Sequence, residues 1–306
     1  MSRNKIIAII VVGVIVVSLI VLVWVGLSQM IAPRYGANIG IITLTGPIEE
    51  EEGGLLAPYG ITPELVRGLL ERVEGDGRLK AVVLRINSPG GTVAASQEIG
   101  NMIKEFEKPV VVSMADTVAS GGYYISAHAD RIVAQPGTLT GSIGVIWTHA
   151  NLDGLFEKLG IEVETITSGE HKDMFVDPLT PERRQIFQRL LDEAYDQFIQ
   201  TVAEGRDLEL SKVRKLATGE LYIGTQALEL GLVDQLGGLN EAIEAAAELA
   251  EIEVPLTMEL APPAPSLLEL FLGQGSILWE LAIARVLGEE MALLRTLLNT
   301  YPVPRY

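Results

Sequence analysis

The chain of 306 residues contains no cysteine. Disulfides, thiolate metal sites and cysteine nucleophiles are excluded, and cysteine usage gives no clue to redox compartment. Histidine is almost as scarce, at His128, His149 and His171 only. Basic residues are few: 23 Lys and Arg stand against 40 Asp and Glu, a formal charge of −17. A nucleic-acid partner is therefore not expected, because phosphate binding needs clustered Lys and Arg. No metal-ligand motif is visible. Asn87 to Gly91 lacks the Gly-Lys-Ser/Thr of a phosphate-binding loop, so no cofactor is expected. One more absence is local: no residue from Ile6 to Pro33 is charged.

That uncharged stretch is also apolar. Ile6 to Leu27 is nearly all Ile, Val, Leu and Ala. About 20 such residues at roughly 1.5 Å each cross a hydrocarbon core of ~30 Å. Trp24 sits near one end, where an indole favours the interface. Arg3 and Lys5 precede the run, which predicts a cytoplasmic N-terminus and a body on the far side of the cell membrane. A cleaved signal peptide is the competing reading, but its apolar core is shorter. The expected organisation is an N-terminal stub and single-pass signal-anchor over 1–28, a linker over 29–37, a catalytic body over 38–261 and a leucine-rich helical tail over 262–306. The tail follows a proline-rich hinge at Pro262 to Pro265 and suits an oligomer or membrane contact.

The body alternates strands and helices. Asn38–Leu44, Lys80–Ile86, Pro109–Met114, Arg131–Ala134 and Ile161–Ile166 read as strands, with a glycine-broken turn and strand over Thr138–Ile146. Gly46 to Gly60, with Glu49 to Glu52 and Pro58, reads as a mobile acidic loop. Thr62 caps a helix with Pro63 at its first position, and further helices are expected from Val93, Tyr123, Asn151, Pro181, Ser211, Thr225 and Leu239. Pro255–Leu260 reads as a last strand. Such alternation predicts βαβ units, hence an α/β fold with a buried parallel sheet.

One turn stands out. Val118-Ala119-Ser120-Gly121-Gly122-Tyr123 follows a strand and opens a helix. It presents a hydroxyl with bare N–H groups beside it, as a nucleophilic serine requires. Serine needs a base to take its proton. Lys172 and His171 share the segment Ser168-Gly169-Glu170-His171-Lys172-Asp173, which follows the expected Ile161–Ile166 strand, so the sheet could bring either to the edge that carries Ser120. His128 reads as structural and His149 as a loop residue. At its ordinary pKa only about one lysine in 2,500 is neutral at pH 7. Lowering that pKa to ~8 costs about 3.3 kcal/mol of differential solvation, so a lysine base needs a dry site and acceptors. Ser142 in Thr140-Gly141-Ser142 is a candidate acceptor. An oxyanion hole needs two backbone donors. Gly121 supplies one, and the turn Pro89-Gly90-Gly91 can supply the other.

Four motifs together resemble the signal peptide peptidase A family in its short, single-domain form. They are Ile86-Asn87-Ser88-Pro89-Gly90-Gly91, Ala119-Ser120-Gly121-Gly122-Tyr123-Tyr124-Ile125, Leu139-Thr140-Gly141-Ser142-Ile143-Gly144, and Ser168-Gly169 through Lys172-Asp173. The resemblance covers roughly residues 38–250. It implies a ClpP/crotonase-like spiral of βαβ units behind the transmembrane helix. It also implies a Ser-Lys dyad: Ser120 as nucleophile, Lys172 as general base, Ser142 orienting the lysine amine, and Gly91 and Gly121 as oxyanion donors. A homo-oligomeric ring is implied, with active sites shared between subunits. The implied task is degrading remnant signal peptides in or at the membrane after secretion. Three alternatives remain: a related membrane Ser-Lys protease cutting a membrane-protein partner, a crotonase-type acyl-CoA enzyme, and a non-catalytic scaffold.

Overall fold

The computed structural model describes residues 36–51, 60–176 and 179–261. The expected signal-anchor over 1–28 and the tail over 262–306 lie outside them. No helix among the described residues is long and apolar enough to cross a membrane.

A twisted α/β sheet forms the centre. Its strands are β1 (Ile39–Thr45), β2 (Ala81–Ser88), β3 (Val110–Ala119), β4 (Arg131–Ala134), β5 (Leu139–Gly141), β6 (Leu221–Ile223), β7 (Gln235–Leu236) and β8 (Thr257–Glu259). The main order is β6-β5-β3-β2-β1-β8, and β4 bridges β3 to β7. All pairs are parallel except β5 with β6. β1, β2 and the first half of β3 are Val- and Ile-rich and buried on both faces, the pattern of a covered parallel sheet.

The helices are α1 (Pro63–Gly75), α2 (Val93–Glu105), α3 (Gly121–Ser126), α4 (Asp153–Leu159), α5 (Pro181–Gly205), α6 (Leu210–Leu216), α7 (Gly224–Leu230) and α8 (Leu239–Leu249). Thr62 caps α1 as its sequence predicts, its hydroxyl accepting the Leu65 N–H at 3.2 Å. The small face of α8, Ala242, Ala245 and Ala246, lies on Ile39, Val83, Val111 and Val133 and closes one face of the sheet.

The strand that leads to Ser120 is longer than the sequence suggests. Ala115-Asp116-Thr117 looks like a break, yet β3 runs on to Ala119. Two side chains carry it through. Asn87 Oδ1 accepts the Thr117 N–H at 3.1 Å, bridging a register shift against β2, and the Thr138 hydroxyl donates to the Ala115 carbonyl at 2.7 Å. β3 thus has two partners in succession: Val111–Met114 pair with β4, and Thr117–Ala119 pair with β5. That change of partner opens the sheet beside the Ser120 turn.

One expected strand is absent. Ile161–Ile166 alternates apolar and polar residues but is an exposed, irregular segment with no sheet partner among the described residues. The place beside β5 is taken by β6, whose three residues carry too short a pattern to be read in advance. Ile166 is 89% exposed as a result.

Candidate active site

Ser120 ends β3 and immediately precedes α3. Its φ of 55° and ψ of −124° place a non-glycine residue in glycine territory, strain of roughly 1–3 kcal/mol that only well-packed surroundings can hold. The surroundings here are close. The Ser120 N–H donates to the Gly141 carbonyl at 2.8 Å, and the Ser120 carbonyl accepts the Tyr124 N–H at 2.9 Å. Behind it, Tyr123 is fully buried and its hydroxyl donates to the Leu232 carbonyl at 2.8 Å. Burial pushes the Tyr123 pKa above its ordinary value. Ser120 itself is 7% exposed, and its hydroxyl meets no hydrogen-bond partner among the described residues.

Two glycines stand beside it. A Cβ on Gly121 would lie 2.5 Å from Ser96 Oγ and 3.1 Å from the Gly91 nitrogen, so the two glycines are neighbours and neither leaves room for a side chain. Gly91 is fixed by Ile48: the Ile48 N–H donates to Gly90, and the Ile48 carbonyl accepts the Thr92 N–H, at 2.9 and 2.8 Å. Those bonds flank Gly91 and leave its own N–H facing away from Ile48. Neither the Gly91 nor the Gly121 N–H is used among the described residues. Gly121 also begins a helix, whose first N–H groups have no internal acceptor. Ile48 was not legible as a site-building residue, since only the fold brings it to Gly91.

Ser142 is one residue past the carbonyl that holds Ser120. Its φ is 50°, and its N–H donates to the Glu220 carbonyl at 2.8 Å, tying this turn to the residue before β6. The structure therefore brings Ser120, Gly91, Gly121 and Ser142 together.

Lys172 is placed differently. It lies in an exposed turn, its N–H donating to the Gly169 carbonyl at 3.2 Å, and its amine reaches no partner among the described residues. His171 is exposed beside it. Because Ile161–Ile166 joins no sheet among the described residues, the expected delivery of this segment to the Ser120 edge by a strand is not seen there. Both other histidines stand apart. His128 is half-buried, and its pKa is held below the ordinary value by burial and then by Lys104. His149 stacks on Trp147, with ring centroids 5.4 Å apart. Trp147, His149, Asn151, Leu179 and Arg184 line a cavity of about 410 Å³ whose walls include neither Ser120 nor Lys172. Among the described residues no group of acidic or histidine side chains could hold a metal ion.

The arrangement suits acyl transfer: an unpartnered hydroxyl at the end of a strand, with two free N–H groups beside it. Comparison with known proteins points the same way. The sequence model of peptidase family S49 matches residues 103–253, and that of Clp protease matches residues 62–137, the segment that builds the ClpP-like core of the sheet. A Synechocystis sp. protein described as a putative protease is 45% identical over 196 residues, 63% of this chain and 70% of that protein. An Enterococcus faecium protein described as a putative signal peptide peptidase is 43% identical over 180 residues, 57% of this chain and 52% of that protein. The chloroplastic serine protease SPPA of Arabidopsis thaliana is 37% identical over 250 residues, 78% of this chain and 37% of that protein. The chain thus spans about half or less of the length of the last two. With more than two thirds of the Synechocystis protein matched at this identity, the chain belongs to peptidase family S49, a family of serine-type peptidases.

Proposed function

We propose that the chain is a membrane-anchored serine endopeptidase with a Ser120–Lys172 dyad that degrades remnant signal peptides in or at the cell membrane. Ser120 attacks the scissile carbonyl and Lys172 takes its proton. The Gly91 and Gly121 N–H groups receive the developing oxyanion, and Ser142 orients the lysine amine. The observation that carries this reading is the strained, unpartnered Ser120 hydroxyl beside two unused, side-chain-free N–H groups. The description of the Enterococcus faecium relative supports the substrate class. The uncharged Ile6–Pro33 run supports a single-pass anchor with the catalytic body outside the cytoplasm.

The dyad is completed between subunits of a homo-oligomeric ring. Lys172 is exposed and its amine meets no partner among the described residues, on a segment whose Leu159, Val163 and Ile166 are also exposed. A mixing assay tests this. Ser120→Ala and Lys172→Ala are each expected to abolish cleavage of an apolar signal-like peptide, and mixing the two inactive proteins is expected to restore part of it. Full activity in Lys172→Ala would remove the dyad. Failure to restore activity despite measured subunit exchange would put both residues in one subunit's site.

A further inference from the structure

The segment that carries Lys172 is tied to α5 by an arginine. Arg183, in the first turn of α5, pairs through Nη2 with the Asp173 carboxylate and donates through Nη1 to the Val176 carbonyl at 2.8 Å. The Arg183 side chain is 18% exposed and that of Asp173 30%, so the pair is shielded in a region where most side chains are in water. Arg183 is itself fixed. Its N–H donates to the hydroxyl of Thr180, the N-cap, and Pro181 sets the first helical residue. A ring contact reinforces the clamp: Phe175 packs on Phe187 at 5.2 Å, and Phe187 stacks on Trp147 at 4.0 Å.

The other end of α5 enters the body. Phe198, Ile199 and Val202 are fully buried. Phe198 packs against Tyr124 at 5.1 Å, and Thr201 donates to the Tyr124 hydroxyl at 2.9 Å. Tyr124 belongs to α3, the helix that starts directly after Ser120. A continuous path of contacts therefore runs from the helix after Ser120 through α5 to Arg183 and the turn beside Lys172.

We propose that Arg183 is a positioning residue for Lys172, acting by anchorage and by charge; this rests on the dyad reading. Anchorage comes from the two bonds to Asp173 and Val176, which fix the turn on both sides of Met174. Charge comes from the ion pair. A free carboxylate at Asp173, one residue from Lys172, would favour the ammonium form and oppose a base that must be neutral. The guanidinium offsets that carboxylate. Among the described residues, the other charged groups next to this pair in sequence are Glu170 and His171 beside Lys172, and Glu182 and Arg184 in the first turn of α5; Asp177 follows Val176 in the sequence.

The test is the steady-state pH–rate profile of the full chain bearing Arg183→Gln, Arg183→Lys, Asp173→Asn or Arg183→Gln with Asp173→Asn. Arg183→Gln should lower kcat roughly 10- to 100-fold with little change in KM, because a catalytic group displaced by about 1 Å costs that much. Its acid limb should also move to higher pH, since freeing the carboxylate raises the lysine pKa and more alkaline solution is needed to deprotonate it. Adding Asp173→Asn should move the limb back while leaving kcat low, as the Val176 carbonyl stays unbonded. Arg183→Lys keeps the charge but not the fork. It should leave the limb in place and lower kcat, which keeps the idea testable where Arg183→Gln does not fold. A purely structural arginine would lower stability and leave the limb where it is. The inference is overturned by wild-type kcat and limb in Arg183→Gln while Lys172→Ala is inactive. It also falls if Lys172→Ala is active, and that outcome identifies the dyad itself as the fault.

Discussion

The body around Ser120 and the arm from 147 to 176 are built on opposite terms. In the body, most residues of β2 and β3 and every residue of α3 are buried, and Ser120 is forced into a φ of 55°. In the arm, α4 buries no residue, and Leu155, Leu159, Ile161, Val163, Ile166 and Phe175 are all exposed. The first region is over-determined by its own chain and can hold strain. The second is under-determined and has apolar surface left over. A nucleophile needs the first kind of setting, since strain persists only where neighbours enforce it. A base carried on the second kind of segment needs something further to dry and fix it.

The largest effect on this contrast is expected at Gly91. A Cβ there would lie 1.8 Å from the Ile48 carbonyl oxygen, which is backbone and already accepts the Thr92 N–H. Gly91→Ala must push the two segments apart and turn the Gly91 N–H away from its neighbour on Gly121. Loss of one oxyanion donor lowers kcat by about 10²–10³. Overpacking costs a further 1–3 kcal/mol, roughly, in urea unfolding. Wild-type kcat in the folded variant would show that this N–H has no part in the reaction.

The body was legible in the sequence because several local signals agreed there. β-branched runs marked the strands, Thr62 and Pro63 marked a helix start, and Ser120 with two following glycines marked the turn. An α/β core with a buried parallel sheet follows from these, while its ClpP-like character was implied by the family resemblance. What escaped was non-local. The run past Asp116 depends on Asn87 and Thr138, and Gly91 is fixed by Ile48 from another segment. β7 has two residues and shows no period of its own. The arm misled for a related reason. Ile161 to Ile166 alternates correctly for a strand, but alternation says only that one face is apolar, and a strand also needs a free sheet edge. The tie of Arg183 to Asp173 left no sequence signal, because ten residues separate them and neither belongs to the other's element.

A smaller effect, of opposite sign, sharpens the comparison at Ser120, the proposed nucleophile. Ser120→Gly removes the penalty of a side chain at φ 55° and ψ −124°. Relief of roughly 1–3 kcal/mol of strain outweighs the roughly 0.5–1 kcal/mol lost to a freer unfolded chain, for a net gain of about 1 kcal/mol. In a domain of this size that is a rise in Tm of about 2–4 °C, with activity gone. Ser120→Ala is the control. The hydroxyl has no partner among the described residues, so its removal should leave Tm unchanged while the backbone stays strained. Equal Tm values for the two variants would mean that the turn holds no strain.

The smallest effect on stability should come from the arm. Ile166 is 89% exposed and Val163 65%. Replacing both with serine removes little buried surface from one chain, so Tm of the isolated subunit should move by no more than about 0.5 kcal/mol in equivalent stability. If the arm packs on a neighbouring subunit, these residues are buried in the assembly. The same double substitution should then shift the protein toward smaller species in sedimentation velocity and lower activity in proportion. The two readouts separate the two regions of the molecule. A fall in subunit Tm of several degrees would mean that the arm is held by its own body. Unchanged assembly at low micromolar concentration would mean that its apolar face has another occupant. Only a change in assembly with constant subunit stability fits a Lys172 that is presented outward to serve the Ser120 of another chain.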